Sequence, residues 1–291
     1  MKALLFSLLL IFSLPLHAAP GAMVEAVQMP VWLERPGSLK PLAAGTVLRD
    51  GDVLRTGSKA HVLLRLGEGS TVKLGENARF VLESVTMRKA GDNLLFSAAM
   101  HVMRGAFRFT TQALLKLKSE RDVRVRFSAI TAGIRGTDVW GKSSDEKDVV
   151  CLLEGGISVT HDNGETVMMN QAMSFYVAPK NVPPLPVAPV PPEKIKEWAQ
   201  ETEIQTGQGI TRAGGKWKVY LAAAGSQADA LAIYDQLREE GYPAEISPAE
   251  KEGGWVYRVR IGQLPSRQEA QALAARLKAR VAGMAEPVIG R

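Results

Sequence analysis

The spacing of hydrophobic and polar positions changes character twice along the chain. Between residues 24 and 178 apolar residues come in short runs with a period of two, as in Ala60-His61-Val62-Leu63-Leu64-Arg65-Leu66 and Thr71-Val72-Lys73-Leu74. That is the pattern of half-buried strands. Turn formers interrupt it at Arg49-Asp50-Gly51-Asp52, Gly67-Glu68-Gly69, Gly75-Glu76-Asn77, Gly91-Asp92-Asn93 and Asp162-Asn163-Gly164. Short strands at such spacing predict an all-β N-terminal domain, a sandwich, roll or barrel. Between 179 and 215 the alternation lapses into Val182-Pro183-Pro184-Leu185-Pro186 and Ala188-Pro189-Val190-Pro191-Pro192. Prolines at this density predict an extended spacer. A short polar helix carrying Trp198 is expected within residues 193–205.

From 216 to 291 strand and helix periods alternate, and the segment repeats itself at an offset of forty. Val219 matches Val259, Leu221 matches Ile261, Ser226 matches Ser266, Asp229 matches Glu269, and Leu237 matches Leu277. Ser226 with Asp229 reads as a helix N-cap with a first-turn acid. Ser266 with Glu269 reads as a capping box. Gly241 and Gly283 are placed to end the two helices. Closing strands are expected at 244–247 and 286–289. The order is βαββαβ, a ferredoxin-like α+β unit with both helices on one face of the sheet. Alternation turns Trp217, Val219 and Leu221 toward the helices, with Tyr257, Val259 and Ile261. Lys218, Tyr220 and Ala222 are then expected on the open face, with Val256, Arg258 and Arg260.

The first 18 residues read as a signal peptide. Lys2 precedes an uncharged apolar run from Ala3 to Leu16, and His17-Ala18-Ala19-Pro20 supplies small residues for cleavage near Ala18. The run is short for a bilayer span, which takes about 20 residues. No second apolar run of spanning length follows, so no transmembrane helix is expected in the mature protein.

Composition narrows the chemistry. The chain has 291 residues, 46% hydrophobic and 23% charged, which suits folded domains and not a disordered chain. Cys151 is the single cysteine, which excludes an internal disulfide, and the four histidines are scattered at 17, 61, 101 and 161. No metal site or cofactor is expected. The net charge of +6 is spread along the chain instead of being gathered on one segment, which argues against a nucleic-acid partner. Ser70-Thr71-Val72-Lys73 and Ser144-Asp145-Glu146-Lys147 match S-x-x-K, but the partner motifs that chemistry needs are absent. Cys151 lies in an apolar run and reads as a packing residue. Arg135-Gly136-Thr137-Asp138 reads as a structural corner in which Asp138 pairs with Arg135. In the basic stretch Lys116, Lys118, Arg121, Arg124 and Arg126, the last two alternate with apolar residues, as on a solvated strand face.

Two stretches resemble known families. Gly45-Thr46-Val47-Leu48-Arg49-Asp50-Gly51-Asp52-Val53-Leu54-Arg55-Thr56-Gly57, Leu66 to Leu74, Ile130 to Val139 and Val149 to Val159 are similar, in that order, to FecR domains. That family includes membrane-bound co-regulators of surface signalling. Here the signal peptide leads directly into the domain, so the anti-sigma role is not expected to carry over. Trp255-Val256-Tyr257-Arg258-Val259-Arg260-Ile261-Gly262, Ser266 to Ala270 and Leu273 to Leu277 resemble the SPOR domain. That resemblance implies binding of peptidoglycan glycan strands stripped of their peptides, often at the division septum. The family's usual valine-glutamine-valine-glycine-serine-phenylalanine strand is replaced here by Val219-Tyr220-Leu221-Ala222-Ala223-Ala224.

The expected organisation is a signal peptide over 1–18, a FecR-like β domain over 24–178, a proline-rich linker over 179–215 and a SPOR-like domain over 216–291. The protein is expected in the periplasm as a non-enzymatic envelope protein. Lys218, Tyr220, Arg258 and Arg260 are the expected glycan-binding residues, and the β domain is expected to meet a ligand or an envelope protein. The competing expectation is a signalling or interaction adaptor without glycan affinity.

Overall fold

The computed structural model describes residues 21–90, 93–111, 119–251, 254–278 and 286–291. The expected signal peptide, Gly283, Lys116 and Lys118 lie outside the described residues. Among the described residues no helix is long and apolar enough to cross a membrane.

The N-terminal unit is all β, built from two sets of paired strands over one apolar core. The two sets share the long strand Asn93–Thr110. Its first half pairs with Arg79–Ala90 and, in parallel, with Ser119–Arg126. Its second half pairs with Thr71–Leu74 and Asp138–Ser143. The change of partner falls at Gly105. There φ is +89°, and a Cβ would lie 2.6 Å from the Ala78 backbone. Glycine alone lets the strand turn from one layer into the other so close to its neighbour. Phe107 then stacks on Phe80 at 6.1 Å and meets Phe127 edge-on at 6.5 Å, closing the core between the layers.

Two carboxylates fix corners of this unit. Asp52, from the Arg49-Asp50-Gly51-Asp52 turn, accepts Arg35 through both oxygens at 2.6 and 2.7 Å and the Arg49 N–H at 2.9 Å. Burial alone raises the Asp52 pKa, but these donors outweigh it and hold the carboxyl below its usual range. Asp138 does not pair with Arg135 as expected. It accepts Arg108 bidentately at 2.9 and 2.7 Å, because Arg108 lies close by on the adjacent strand. Gly136, at φ +84°, turns the chain just before it. Cys151 is fully buried and its thiol is pushed up to about 12 by desolvation, as suits a packing residue. Lys73 of the first S-x-x-K match is ion-paired with Glu203. In the second match the Ser144 hydroxyl closes a turn on the Lys147 carbonyl at 3.0 Å.

The proline-rich segment, expected as a free spacer, runs along the β unit. Leu185 and Val190 donate their N–H groups to the Val177 and Met173 carbonyls at 2.9 and 2.8 Å. Helix α1, Pro192–Thr202, then lays Trp198 flat on Trp140, with ring centroids 4.7 Å apart and 6° between planes. Phe175 meets the same indole edge-on at 5.8 Å. The segment is docked because it carries its own apolar anchors, and the β unit offers an aromatic face and open backbone groups to receive them. Past the helix, Thr211 and Arg212 pair as a strand with Val27 and Ala26.

The C-terminal unit is βαββαβ, as the repeat predicts. Its strands are Trp217–Ala224, Glu245–Lys251, Gly254–Leu264 and Val288–Gly290. They are ordered second, third, first, fourth and are all antiparallel. Helices α2, Gln227–Glu239, and α3, Arg267–Lys278, bury Ala230, Leu237, Ala270, Leu273 and Leu277. Ser226 and Ser266 each accept the N–H three residues on, at 3.2 Å. The capping box at α3 is only half formed. Glu269 turns away from its own helix end and accepts the N–H groups of Gly207, Gly209 and Ile210 at 2.6, 2.8 and 3.0 Å. A buried carboxylate with three donors is well satisfied, and so is the linker backbone it holds. Gly209 is pressed so close that a Cβ would lie 2.9 Å from Leu273, at φ +71°. The C-terminal unit also touches the β unit directly: the Val31 N–H reaches the Gly241 carbonyl at 3.3 Å, and Trp32 lies against Gly241. One apolar cluster runs through both units.

Two outcomes follow for stability. Gly105→Ala forces a side chain into a left-handed, crowded site and is expected to cost about 2–4 kcal/mol in denaturant unfolding. Glu269→Ala strands three backbone donors and is expected to cost about 2–4 kcal/mol. It is also expected to open residues 203–210 to limited proteolysis, while the intact protein resists cutting there.

Candidate functional site

The helices cover one face of the C-terminal sheet and leave the other open. Tyr220 on the central first strand stands directly opposite Arg260 on the third strand. Val219 and Leu221 beside it are buried toward the helices. A β-bulge between Tyr220 and Ala222 then shifts the alternation. Ala222, expected on the open face, lines a groove there and is also drawn onto the core. Ala222 and Ala224 pack against the core, and Ala223 stands opposite Arg258.

The bulge opens a groove of about 380 Å³ on this face. Tyr220, Ala223, Arg258, Glu286 and Val288 are among the residues lining it. The Tyr220 ring lies against Gly290, and Val288 is 63% exposed beside it. The groove thus combines an aromatic ring, an aliphatic side chain, a cation and the carboxylate of Glu286, which Lys278 neutralises. Arg258 makes no ion pair among the described residues. Arg260 is paired loosely with Glu245 at 3.5 Å, so part of its charge is already answered within the sheet. Lys218 stands one step further along the first strand, beside Gly290 of the fourth, and does not line the groove. Tyr220 and Arg258 therefore line the groove together, Arg260 stands opposite Tyr220 outside its lining, and Lys218 lies at the margin.

Val288, Glu286 and Ala223 were not singled out from the sequence. The closing strand was expected at 286–289, but nothing in its sequence shows which residues border the open face, and a bulge leaves no mark in an apolar run such as Leu221 to Ala224. At the margin of the sheet the Arg291 guanidinium sits 4.8 Å over the Trp217 ring, a cation–π contact at the other end of the first strand. Among the described residues no group of His, Cys, Asp and Glu side chains is arranged to hold a metal ion.

Comparison with known proteins agrees with this geometry. Residues 213–289 match the sequence model of the SPOR domain, and residues 52–158 match that of the FecR protein family. No curated protein matches the chain. Two crystal structures of a candidate anti-sigma factor from Parabacteroides distasonis are similar at 13% and 14% identity, each with a TM-score of 0.40. They cover 78% and 82% of this chain and 90% and 98% of their own. Similarity at that level carries no functional inference. The two family matches do: the chain carries a FecR region within its β unit and a SPOR domain at its C-terminal end.

Proposed function

We propose that the protein is an exported envelope protein that binds peptidoglycan glycan strands, freed of their peptides, through the helix-free face of its SPOR domain. The observation that carries this is a groove on that face lined by Tyr220 and by Arg258, which makes no ion pair among the described residues, with Arg260 opposite Tyr220. Removing a stem peptide frees the lactyl carboxylate of each muramic acid, and a guanidinium pairs with a carboxylate through two parallel hydrogen bonds. An exposed aromatic ring packs on the apolar face of a sugar. Lys218 adds long-range attraction for the same polyanion. An exposed ion pair is worth about 0–1 kcal/mol, so retention rests on several contacts along a repeating strand.

Both matched domains are binding or signalling modules associated with the cell envelope. The FecR region is proposed as the part that meets a partner or ligand. The alternative, an interaction adaptor without glycan affinity, draws its support from the first strand, where Tyr220, Ala222, Ala223 and Ala224 stand in place of the family's usual residues.

Sedimentation with amidase-treated peptidoglycan at two salt concentrations tests the glycan face. The pair Arg258→Ala with Arg260→Ala is expected to weaken retention severalfold and to flatten its salt dependence. Tyr220→Ala is expected to weaken retention and keep the salt dependence. Unchanged retention by both variants rejects the face, and failure of the wild type to sediment favours the adaptor. Export is tested separately by N-terminal sequencing of the mature protein, with Ala19 expected as the first residue. An intact Met1 on protein from the cytoplasmic fraction overturns that part.

A further inference from the structure

A polar cavity that shares no residue with the glycan groove lies between the β unit and the docked linker. It has a volume of about 580 Å³. Its floor is formed by buried His61 with Gly105 and Ala106, and its walls by Lys59 and Glu76 on one side and Gln200, Gln205 and Gln208 on the other. Half of the wall thus comes from the linker, and the cavity exists because α1 and the turn after it are held down.

Three observations describe what would fit. First, His61 is 7% exposed, lines the cavity, and its Nδ1 has no hydrogen-bond partner. Buried polar atoms are almost always paired, and the Glu201 and Lys59 backbone beside the ring leaves this nitrogen without a well-directed partner. Desolvation lowers the His61 pKa against the pull of the Glu201 and Lys59 carbonyls and the Glu76 and Glu203 carboxylates, so the ring is neutral at neutral pH. Second, charge of both signs is left without an ionic partner. The Glu76 carboxylate is met by the Lys59 backbone N–H at 2.6 Å and by no cationic side chain among the described residues. The Lys59 ammonium likewise makes no ion pair among them. By contrast Lys142 and Glu201, at the cavity edge, neutralise each other at 3.0 Å. Third, the linker wall offers three side-chain carboxamides, each able to donate and accept, and no Phe, Tyr or Trp lines the cavity. Sugar sites rely on stacking against aromatic faces, and this one has none. Carboxamides match the alternating N–H and C=O groups of a peptide backbone.

We propose that this cavity is a binding site for a short, unblocked peptide. Its ammonium is held by Glu76, its carboxylate by Lys59, and its backbone by the glutamines of the linker wall and by His61. The volume lies in the range of small-ligand sites and exceeds what a single amino acid fills. The site is independent of the glycan face: it shares no residue with it and stands or falls alone.

Titration calorimetry of the full chain with trialanine tests it, against N-acetyl-trialanine and the neutral disaccharide N,N′-diacetylchitobiose as comparison probes. Trialanine is expected to bind with a dissociation constant of about 1 mM or tighter, and the acetylated peptide about tenfold more weakly. Glu76→Gln keeps an acceptor for the Lys59 N–H, so the fold is expected to melt unchanged. It is expected to cost about tenfold against trialanine and little against the acetylated peptide, which has no ammonium to lose. Absence of heat with trialanine at about 10 mM, equal affinity for both peptides, or preference for the disaccharide overturns the proposal.

Discussion

A carboxylate withdrawn from water has to be matched by donors, and in this protein one such match joins the two halves of the chain. Glu269 begins a helix of the SPOR domain, yet its oxygens are filled by the backbone of residues 207–210. The linker cannot leave without stranding the carboxylate, and the helix cannot shift without stranding the linker amides. Further contacts also bridge the boundary. Arg212 and Arg65 share Glu25 at 2.5 and 2.6 Å, Thr211 and Arg212 extend the β unit by a strand, and Trp32 rests on Gly241. None is strong alone. Together they turn a string of modules into one body with a shared apolar core.

How much of this was legible depended on how local each signal was. Strand alternation, the forty-residue repeat and the serine caps arise from neighbours in sequence, and the βαββαβ order follows from them. Interactions between distant segments left no such trace. Asp138 had a plausible cation three residues away, and only the strand pairing shows that Arg108 is the one that reaches it. The prolines read as a spacer because proline density sets backbone stiffness but says nothing of what lies alongside. Trp198 was visible on a polar helix, whereas the face of Trp140 that receives it was not. Glu269 looked like half of a capping box because its own helix supplies a partner at the right spacing. The linker supplies three donors, and the larger number wins.

The candidate glycan site shows the same division. Placing Tyr220, Arg258 and Arg260 on one face needed only the period of two. The groove beside Tyr220 and Arg258 needed the bulge after Tyr220, which packs Ala222 against the core and brings Ala223 opposite Arg258. Small side chains at this point are consistent with an open groove: residues 222 to 224 are all alanine, and bulkier groups would fill the space beside the ring.

A docked linker also changes what the molecule can measure. A flexible tether lets two modules search independently, and the distance between their ligands is then an average over many chain shapes. Here α1 is anchored through Trp198 and the segment after it through Glu269, so the helix-free sheet and the β unit are held at one separation and one angle. A polymer lying across the sheet therefore meets whatever sits on the β unit in a single orientation. In mechanical terms the chain is a set square and not a leash.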